Sequence, residues 1–283
     1  MKPAPFEYHA PETLEEACGL LGEHGDEAKV LAGGQSLVPM LALRLTRFAH
    51  LVDVNSVRGF SGVRRENGTL VVHAGTRQRV LERDDEVGAA VPLLARAAPL
   101  IGHFQIRNRG TVGGSLAHAD PASELPAVAI ALGAELELAR AGGATRRVPA
   151  EAFFVGTWTT AAEADELLTA ARFPVRPGSC GFAIEEVARR HGDFALAGAV
   201  CAVSGDGMAG LALFGVGSVP VRAAAGEDAL RAGAPAADVA EAATRDLDPP
   251  TDVHASAATR RQIARHVVER AVTRAREEQR AAN

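Results

Sequence analysis

Two glycine-rich stretches contain the residue types that could do chemistry in this chain. The longer one, the second glycine segment, covers residues 107–121 and contains three glycines, two hydroxyl side chains, an aspartate and two arginines. The shorter one, the first glycine segment, covers residues 32–36 and consists of Ala32, Gly33, Gly34, Gln35 and Ser36. Stretches with few bulky side chains let backbone N–H groups approach an anion closely. Two of them in one chain predict a large phosphorylated ligand that is held from two sides.

The first glycine segment lies between a predicted strand over residues 29–31 and a predicted helix over residues 37–43. The amino terminus of a helix adds a partial positive charge to exposed N–H groups, which suits a pyrophosphate. The segment is no P-loop, because no Gly-Lys-Ser/Thr follows, and it lacks the G-x-G-x-x-G fingerprint. Taken alone, Gly33-Gly34 is also typical of an ordinary tight turn.

The second glycine segment offers more groups to a ligand. Thr111 and Ser115 can donate their hydroxyls, and Gly113 and Gly114 can present backbone N–H groups. The alternative is an ordinary turn that leads into an Asp-Pro helix start.

Acidic and imidazole side chains follow these glycines. Asp120 and Glu124 are acceptors at the start of the next predicted helix, suited to a ribose hydroxyl or an adenine amine. His118 is open to three interpretations: a base, a ligand contact or a packed polar residue.

A third polar cluster occupies residues 189–194 and ends in Phe194. An ordinary charged turn between two secondary-structure elements is as good an explanation of this cluster as a functional role. The functional interpretation places Phe194 against a flat ring system, because Gly192 allows close approach and an aromatic side chain can cover a ring face.

Local patterns divide the elements that carry these residues into three units. Residues 1–57 form a small α/β unit, whose first helix starts at a Thr13–Glu16 capping box and stops at Gly25. In residues 58–176, Asn67-Gly68 and Gly142-Gly143 predict two hairpins. Further elements are predicted in this second unit as helices near 76–83, 91–98 and 123–132, a long loop over 101–121 and a strand over 166–173.

Pro174, Pro177 and Gly178 mark the boundary of the third unit, residues 177–283. It is expected to contain a strand near 181–190, a hairpin of residues 197–204 with 209–216, and alanine-rich helices, of which the last runs from 255 to about 281.

Composition excludes several classes of protein. The net charge of −5, the scattered arginines and an aromatic content of 4 % argue against nucleic-acid binding. The three cysteines, Cys18, Cys180 and Cys201, are too far apart in sequence for an iron–sulfur centre or a structural zinc site. Neither a signal peptide nor an integral membrane segment is evident, so we expect a soluble, cytoplasmic protein.

With these residues in hand, the chain resembles the FAD-binding medium subunit of the molybdenum hydroxylases, the family of carbon monoxide dehydrogenase and xanthine dehydrogenase. The resemblance covers essentially the whole chain. It rests on motifs that occur in family order and spacing at residues 32–40 (which include Leu37), 107–115, 117–121, 153–157 and 189–195.

The resemblance implies an α+β fold. Residues 1–57 and 58–176 would form the two subdomains of an FAD-binding fold of the vanillyl-alcohol-oxidase (PCMH) type. Residues 177–283 would form a C-terminal α+β domain with a three-stranded antiparallel sheet and a helical bundle. Site residues follow from it as well: the backbone of residues 32–36 and 111–115 at the FAD diphosphate, Glu124 at the adenosine half, Ile101 beside the flavin, and Phe194 as a shield of the isoalloxazine.

Two positions depart from the family pattern. Many relatives have a lysine that contacts FAD a few residues before the arginine pair, whereas Glu185 and Glu186 stand here. An acid near the flavin N1–C2 region would disfavour the anionic reduced flavin and change the flavin potential or the FAD affinity. Ser115 replaces an Asp or Asn of some relatives, and it can still donate a hydrogen bond.

The function that the resemblance implies is electron transfer by an FAD-binding subunit. A large subunit would carry the molybdopterin cofactor and a small subunit two [2Fe–2S] clusters, in a doubled heterotrimer. Electrons would pass through FAD to an external acceptor. Two alternatives stay open: a stand-alone FAD-dependent oxidoreductase that acts on its own small substrate without molybdenum, and a non-catalytic FAD-binding or assembly protein.

Overall fold

A computed structural model describes residues 2–176 and 178–282 of the chain. Met1, Pro177 and Asn283 lie outside the described residues, and so do the predicted domain limits at those positions. The helices are α1 Leu14–His24, α2 Leu37–Ala42, α3 Gln78–Arg83, α4 Asp85–Ala90, α5 Pro92–Ala97, α6 Phe104–Arg109, α7 Val112–His118, α8 Glu124–Leu132, α9 Ala150–Phe153, α10 Ala224–Arg231, α11 Ala236–Thr244 and α12 Ala257–Ala281.

The strands lie in four sheets. They are β1 Glu7–His9, β2 Ala28–Leu31, β3 His50–Asp53, β4 Val63–Glu66, β5 Thr69–His73, β6 Glu135–Ala139, β7 Thr145–Pro149, β8 Phe154–Gly156, β9 Thr159–Thr160, β10 Leu167–Pro174, β11 Cys180–Ala188, β12 Ala195–Ser204, β13 Ala209–Phe214 and β14 Val221–Arg222. The mixture of helices and strands that the sequence predicts is confirmed.

The first sheet is parallel, with strand order β1-β3-β2. The predicted capping box of α1 is present: Thr13 Oγ1 accepts from Glu16 N, and Glu16 returns a carboxylate oxygen to Thr13 N. Ala17, Cys18 and Leu21 are buried, so α1 covers one face of this sheet with its apolar stripe. The first glycine segment follows the carboxyl end of β2.

The second sheet is antiparallel, with strand order β4-β5-β10-β6-β7. Both predicted hairpins are confirmed at its two edges. The prediction of a long loop over residues 101–121 is wrong, because α6 and α7 occupy most of that stretch. Thr111 ends the turn between them as the N-cap of α7, and its capping hydrogen bond offsets the low helix propensity of the glycines that follow.

The third sheet has the antiparallel order β11-β12-β13-β14. It has four strands rather than the three expected, because the two-residue β14 pairs with β13 through Ala212 and Leu213. One face of this sheet packs on α10 and α12, which also pack on α11, and the other face packs on α8. Glycines allow both close approaches, since a methyl at Gly181 would overlap Ala275 O of α12 and one at Gly210 would overlap Ala131 O of α8.

Helix α8 joins the second and third sheets. Each of its nine residues is buried, including the charged Glu124. It packs on α5, α7, β10, β12 and β13, and its side chains belong to the larger of two apolar clusters. Across the described ranges, no helix combines the length and apolarity needed to cross a membrane.

Candidate functional site

The two glycine segments are in direct contact. A methyl group built on Gly33 would overlap Arg109 O and lie 2.6 Å from Gly110 Cα, so only glycine fits there. Further along, a methyl group on Gly114 would lie 3.5 Å from the Cβ of Ala32. Segments that are far apart in sequence therefore form one surface, as the sequence predicts.

The first glycine segment has free backbone donors. Within the described parts of the chain, no protein acceptor takes the N–H groups of residues 33–37, the last of which is Leu37 at the start of α2. The side chain of Gln35 donates back to Gly33 O at 3.0 Å and holds the turn, and Ser36 makes no capping bond. Gly34 has φ +72°, the left-handed region that favours glycine. These donors form a cradle for an anion.

The second glycine segment uses its donors internally, which corrects the expectation that Gly113 and Gly114 present free N–H groups. Gly113 N donates to Ala74 O at 2.8 Å, and Gly114 N donates to Thr111 Oγ1 at 3.0 Å. Val112 N and Ser115 N also donate, to Thr76 O and Thr111 O. The reason is that this stretch is the first turn of α7, packed on the end of β5. A methyl on Gly113 would lie 2.7 Å from Ala74 Cα. The Thr111 O–H and the Ser115 hydroxyl remain for a ligand.

A polar network that the sequence analysis missed braces both segments. Asn55 Nδ2 donates to Ala32 O at 2.8 Å, and Arg77 donates to Asn55 Oδ1 at 2.7 Å and to Arg109 O. Asp53 accepts from Asn55 N and from Tyr8 OH. Polar residues at the end of β3 and directly after it were a signal for Asp53 and Asn55, whereas nothing in the sequence marks Arg77.

Residues 189–194 lie close to Ile101 in the fold. Gly192 (φ +85°) packs on the neighbours of Ile101, since a methyl there would lie 2.7 Å from His103 Cε1 and 3.2 Å from Gly102 C. Ile101 is buried, and Phe194 is exposed. Arg107, buried beneath them, donates to Ile101 O and Gly102 O and pairs with Glu82. Arg107 therefore holds this backbone in place.

The two glutamates of β11 face opposite sides of the third sheet. Glu185 forms ion pairs with Arg270 and Arg274 of α12. Glu186 faces α8, where it adds to a raised pKa of Glu124. Of the two acids expected near the flavin, Glu186 faces α8 and Glu185 faces α12.

Glu124 is buried and Glu186 is half-buried, and the carboxyl groups of both have raised pKa values. Burial, with smaller contributions from the charges of Glu186 and Asp120, raises the pKa of Glu124 to about 8. Burial also raises the pKa of Glu186 to about 7, and its Oε2 is buried without a hydrogen-bond partner in the described chain. The resemblance assigns these residues to opposite halves of FAD, and in the structure the charge of Glu186 adds to the raised pKa of Glu124.

Trp158, which the sequence analysis also missed, organises His118 and Asp120. The His118 ring stacks on Trp158 with centroids 6.3 Å apart and an interplanar angle of 13°, and burial lowers the pKa of His118. Trp158 Nε1 donates to Asp120 Oδ2 at 3.4 Å, and Ala122 N donates to Asp120 Oδ1 at 2.9 Å. Of the three interpretations of His118, this geometry favours the packed polar residue.

Comparison with known families accounts for both parts of the chain. The family described as the FAD binding domain in molybdopterin dehydrogenase matches residues 4–176. The CO dehydrogenase flavoprotein C-terminal domain matches residues 182–275.

Curated relatives and solved structures agree with these matches. The 6-hydroxypseudooxynicotine dehydrogenase complex subunit alpha of Paenarthrobacter nicotinovorans is 39 % identical, over 97 % of this chain and 96 % of its own length. The carbon monoxide dehydrogenase medium chain of Afipia carboxidovorans is 37 % identical over 98 % of both chains. A chain of quinoline 2-oxidoreductase from Pseudomonas putida superposes over the full length of both chains with a TM-score of 0.92 and 34 % identity.

A carbon monoxide dehydrogenase structure from Hydrogenophaga pseudoflava gives a TM-score of 0.92 at 38 % identity, over 98 % of this chain and 99 % of that chain. Family, sequence and fold thus agree along nearly the entire length. The chain therefore belongs to the FAD-binding medium subunits of the molybdenum hydroxylases, the family of carbon monoxide dehydrogenase and xanthine dehydrogenase.

Proposed function

We propose that this chain is the electron-transfer subunit of a molybdenum-containing dehydrogenase and that its two glycine segments hold FAD. The observation that carries the site is the row of free N–H groups at residues 33–37, pressed against the second glycine segment. These donors fit a diphosphate, because several N–H groups can share its negative charge. When bound, FAD supplies a centre that accepts single electrons from iron–sulfur clusters and releases them in pairs.

The two segments take different parts in this site. The N–H groups of residues 33–37 bind the diphosphate, and the side chain of Gln35 holds the turn. The second glycine segment forms the wall behind it, with Thr111 and Ser115 supplying hydroxyl groups. The bracing by Asn55 and Arg77 fixes the segments to each other, so little backbone entropy is lost on binding.

The flavin end of the site lies where residues 189–194 pack on Gly102 and His103. Ile101 packs beside the flavin ring, and the exposed Phe194 covers its face. Glu124 serves the adenosine half of the cofactor and Glu186 the flavin side, as the resemblance implies. Since burial keeps Glu124 protonated at neutral pH, it can donate a hydrogen bond there without repelling an anion.

The domain division supports the same function. We propose that residues 1–57 and 58–176 are the two subdomains of a vanillyl-alcohol-oxidase-type fold, and that residues 177–283 form the C-terminal domain. The glycine segments would then come from different subdomains and close on the cofactor from two sides.

The partners follow from the relatives. Those named above are subunits of complexes or medium chains, which favours a large molybdopterin-binding subunit and a small [2Fe–2S] subunit, in a doubled heterotrimer in the cytoplasm. The same names disfavour the stand-alone oxidoreductase.

Expression with and without its gene neighbours tests the proposal. Alone, the chain should bind a single FAD and oxidise no substrate of the complex. With the two partners it should purify as the doubled heterotrimer and transfer electrons from substrate to an acceptor. A chain that stays monomeric beside its neighbours and still oxidises a substrate with its own FAD would overturn the proposal.

A further inference from the structure

Three histidines from separate elements converge at one end of the first sheet. His9 is the last residue of β1, His24 the last of α1 and His50 the first of β3. One ring nitrogen of each lies within 4.8 Å of the other two. The His9 Nε2 and His50 Nδ1 atoms are 3.1 Å apart.

The fold fixes this convergence. In the parallel pair of β1 and β3, Glu7 lies beside His50 and His9 beside Val52, so His9 and His50 are two residues apart in register with side chains on the same face, at the edge of the sheet where β3 begins. The capped helix α1 covers the sheet and delivers its final residue to that edge. There the His24 ring stacks on His50 with centroids 3.7 Å apart, and His9 lies 5.3 Å from each.

The spacing suits a metal ion. Two imidazole ligands of a tetrahedral zinc ion have nitrogens about 3.3 Å apart, given zinc–nitrogen bonds of about 2.0–2.1 Å. The nitrogens of His9 and His50 already have nearly this separation. The His24 nitrogen must approach by at most roughly 1.5 Å to reach it, which a side-chain rotation provides at this partly exposed site.

A fourth ligand is within reach. Glu7 Oε2 lies 3.6 Å from His50 Nδ1, and the Glu7 side chain is largely exposed and free to turn. Imidazole and carboxylate are both ligands that zinc accepts, and imidazole alone also suits copper and nickel. Three histidines with a carboxylate or water form a complete tetrahedral set.

We propose that His9, His24 and His50 bind a divalent metal ion of the zinc type, with Glu7 or water as the fourth ligand. The ion would tie together β1, α1 and β3. Its role is structural, because His50 lies beside Ala28 at the start of β2, whereas the first glycine segment follows the far end of that strand. Four residues of strand separate the two sites by about 10 Å.

The proposal departs from the expectation of no structural zinc, which rested on cysteine spacing alone. It is independent of the FAD site and of the proposed function. The three histidines are widely separated along the chain and match no short zinc motif, so only the fold brings them together.

Titration of the FAD-loaded full chain with Zn²⁺ tests the site, after removal of metals with a chelator. Calorimetry should show a single tight site per chain, and Zn²⁺ but not Mg²⁺ should raise the unfolding temperature. Substitution by Co²⁺ should give the visible absorption of a tetrahedral ion. Absence of a Zn²⁺ site in the parent chain would overturn the proposal.

Variants locate the ion. His24→Gln should weaken Zn²⁺ binding by at least about tenfold. Loss of a group that only supports a metal ligand already weakens metal binding by about tenfold or more, and His24 is a ligand itself. His50→Asn should do the same. The matched control is His266→Gln, which changes an exposed histidine of α12. FAD content and circular dichroism should be unchanged in all three variants. Equal Zn²⁺ affinity in His24→Gln and the parent, or an equal loss in His266→Gln, would contradict the assignment.

Discussion

The first and second glycine segments have similar composition, yet their backbones are used in opposite ways. In the first, the N–H groups of residues 33–37 have no acceptor in the described chain, and glycine is required because Gly33 touches the backbone of Arg109 and Gly110. In the second, residues 112–115 all donate within the protein. One segment thus leaves its donors open to the anion of the proposed FAD and the other uses its donors within the fold, a difference that glycine content alone does not reveal.

The largest effect is expected from Gly33→Ala. The added methyl would overlap Arg109 O and force the two segments apart, so FAD binding should be lost. Flavin absorbance per mole of folded chain measures this loss. The control is Gly88→Ala, where a methyl meets nothing within 4 Å and FAD content should stay at the parent value. Stoichiometric FAD in Gly33→Ala would contradict the claim that the first glycine segment needs glycine at this position to bind FAD.

Gly113→Ala should act on folding rather than on the ligand. The methyl would press on Ala74, and overpacking of this kind costs about 1–3 kcal/mol. Denaturant unfolding of the FAD-free chain measures the loss. If stability were unchanged while FAD affinity fell, Gly113 would be a ligand-binding glycine and the two segments would not differ.

Glu124, which follows the second glycine segment, allows a test by pH. The folded-state pKa of Glu124 is raised to about 8, so the folded chain holds this proton more tightly than the unfolded chain. The contribution of Glu124 to stability is therefore largest below its ordinary pKa of about 4.5 and falls as the pH rises to about 8, by on the order of a few kcal/mol.

In the FAD-free Glu124→Gln variant, most of the decrease in unfolding free energy between about pH 4.5 and 8 should disappear. The smaller decrease that Glu186 causes should remain. Unfolding free energy at several pH values checks it, with the exposed Glu23→Gln as control. An unchanged pH profile in Glu124→Gln would show that the buried carboxyl is not the source.

The smallest effect is expected from two serine variants, which distinguish binding by a side chain from binding by the backbone. Ser115→Ala removes a hydroxyl that the second segment leaves free, and the loss of one hydrogen bond to a charged group should weaken FAD binding by roughly tenfold. Ser36→Ala should leave the affinity nearly unchanged, because the first segment binds through its backbone. Fluorescence titration with FAD compares them, and the reverse order of effects would contradict the assigned roles.

Local signals predicted much of the fold. The capping box at Thr13, the stop at Gly25 and the Asn67-Gly68 turn are correct because each depends on neighbours within a few residues. Helices α6 and α7 were missed because their glycines and arginines have no apolar period, and packing on β5 decides their conformation.

The site was predicted less completely, for a related reason. The motifs identified both glycine segments, but the fate of the Gly113 N–H depends on Ala74, which is distant in sequence. Strand alternation indicates that Glu185 and Glu186 face opposite ways, yet only the packing of α8 and α12 shows which of them faces α8.

Residue-resolved hydrogen exchange on the full chain, with and without FAD, tests the division between the two segments most directly. The amides of residues 33–37 should exchange rapidly without FAD and become protected when FAD binds, because only the ligand supplies their acceptors. The amides of residues 112–115 should be protected in both states. Unchanged exchange at 33–37, together with new protection at 112–115 on FAD binding, would contradict it.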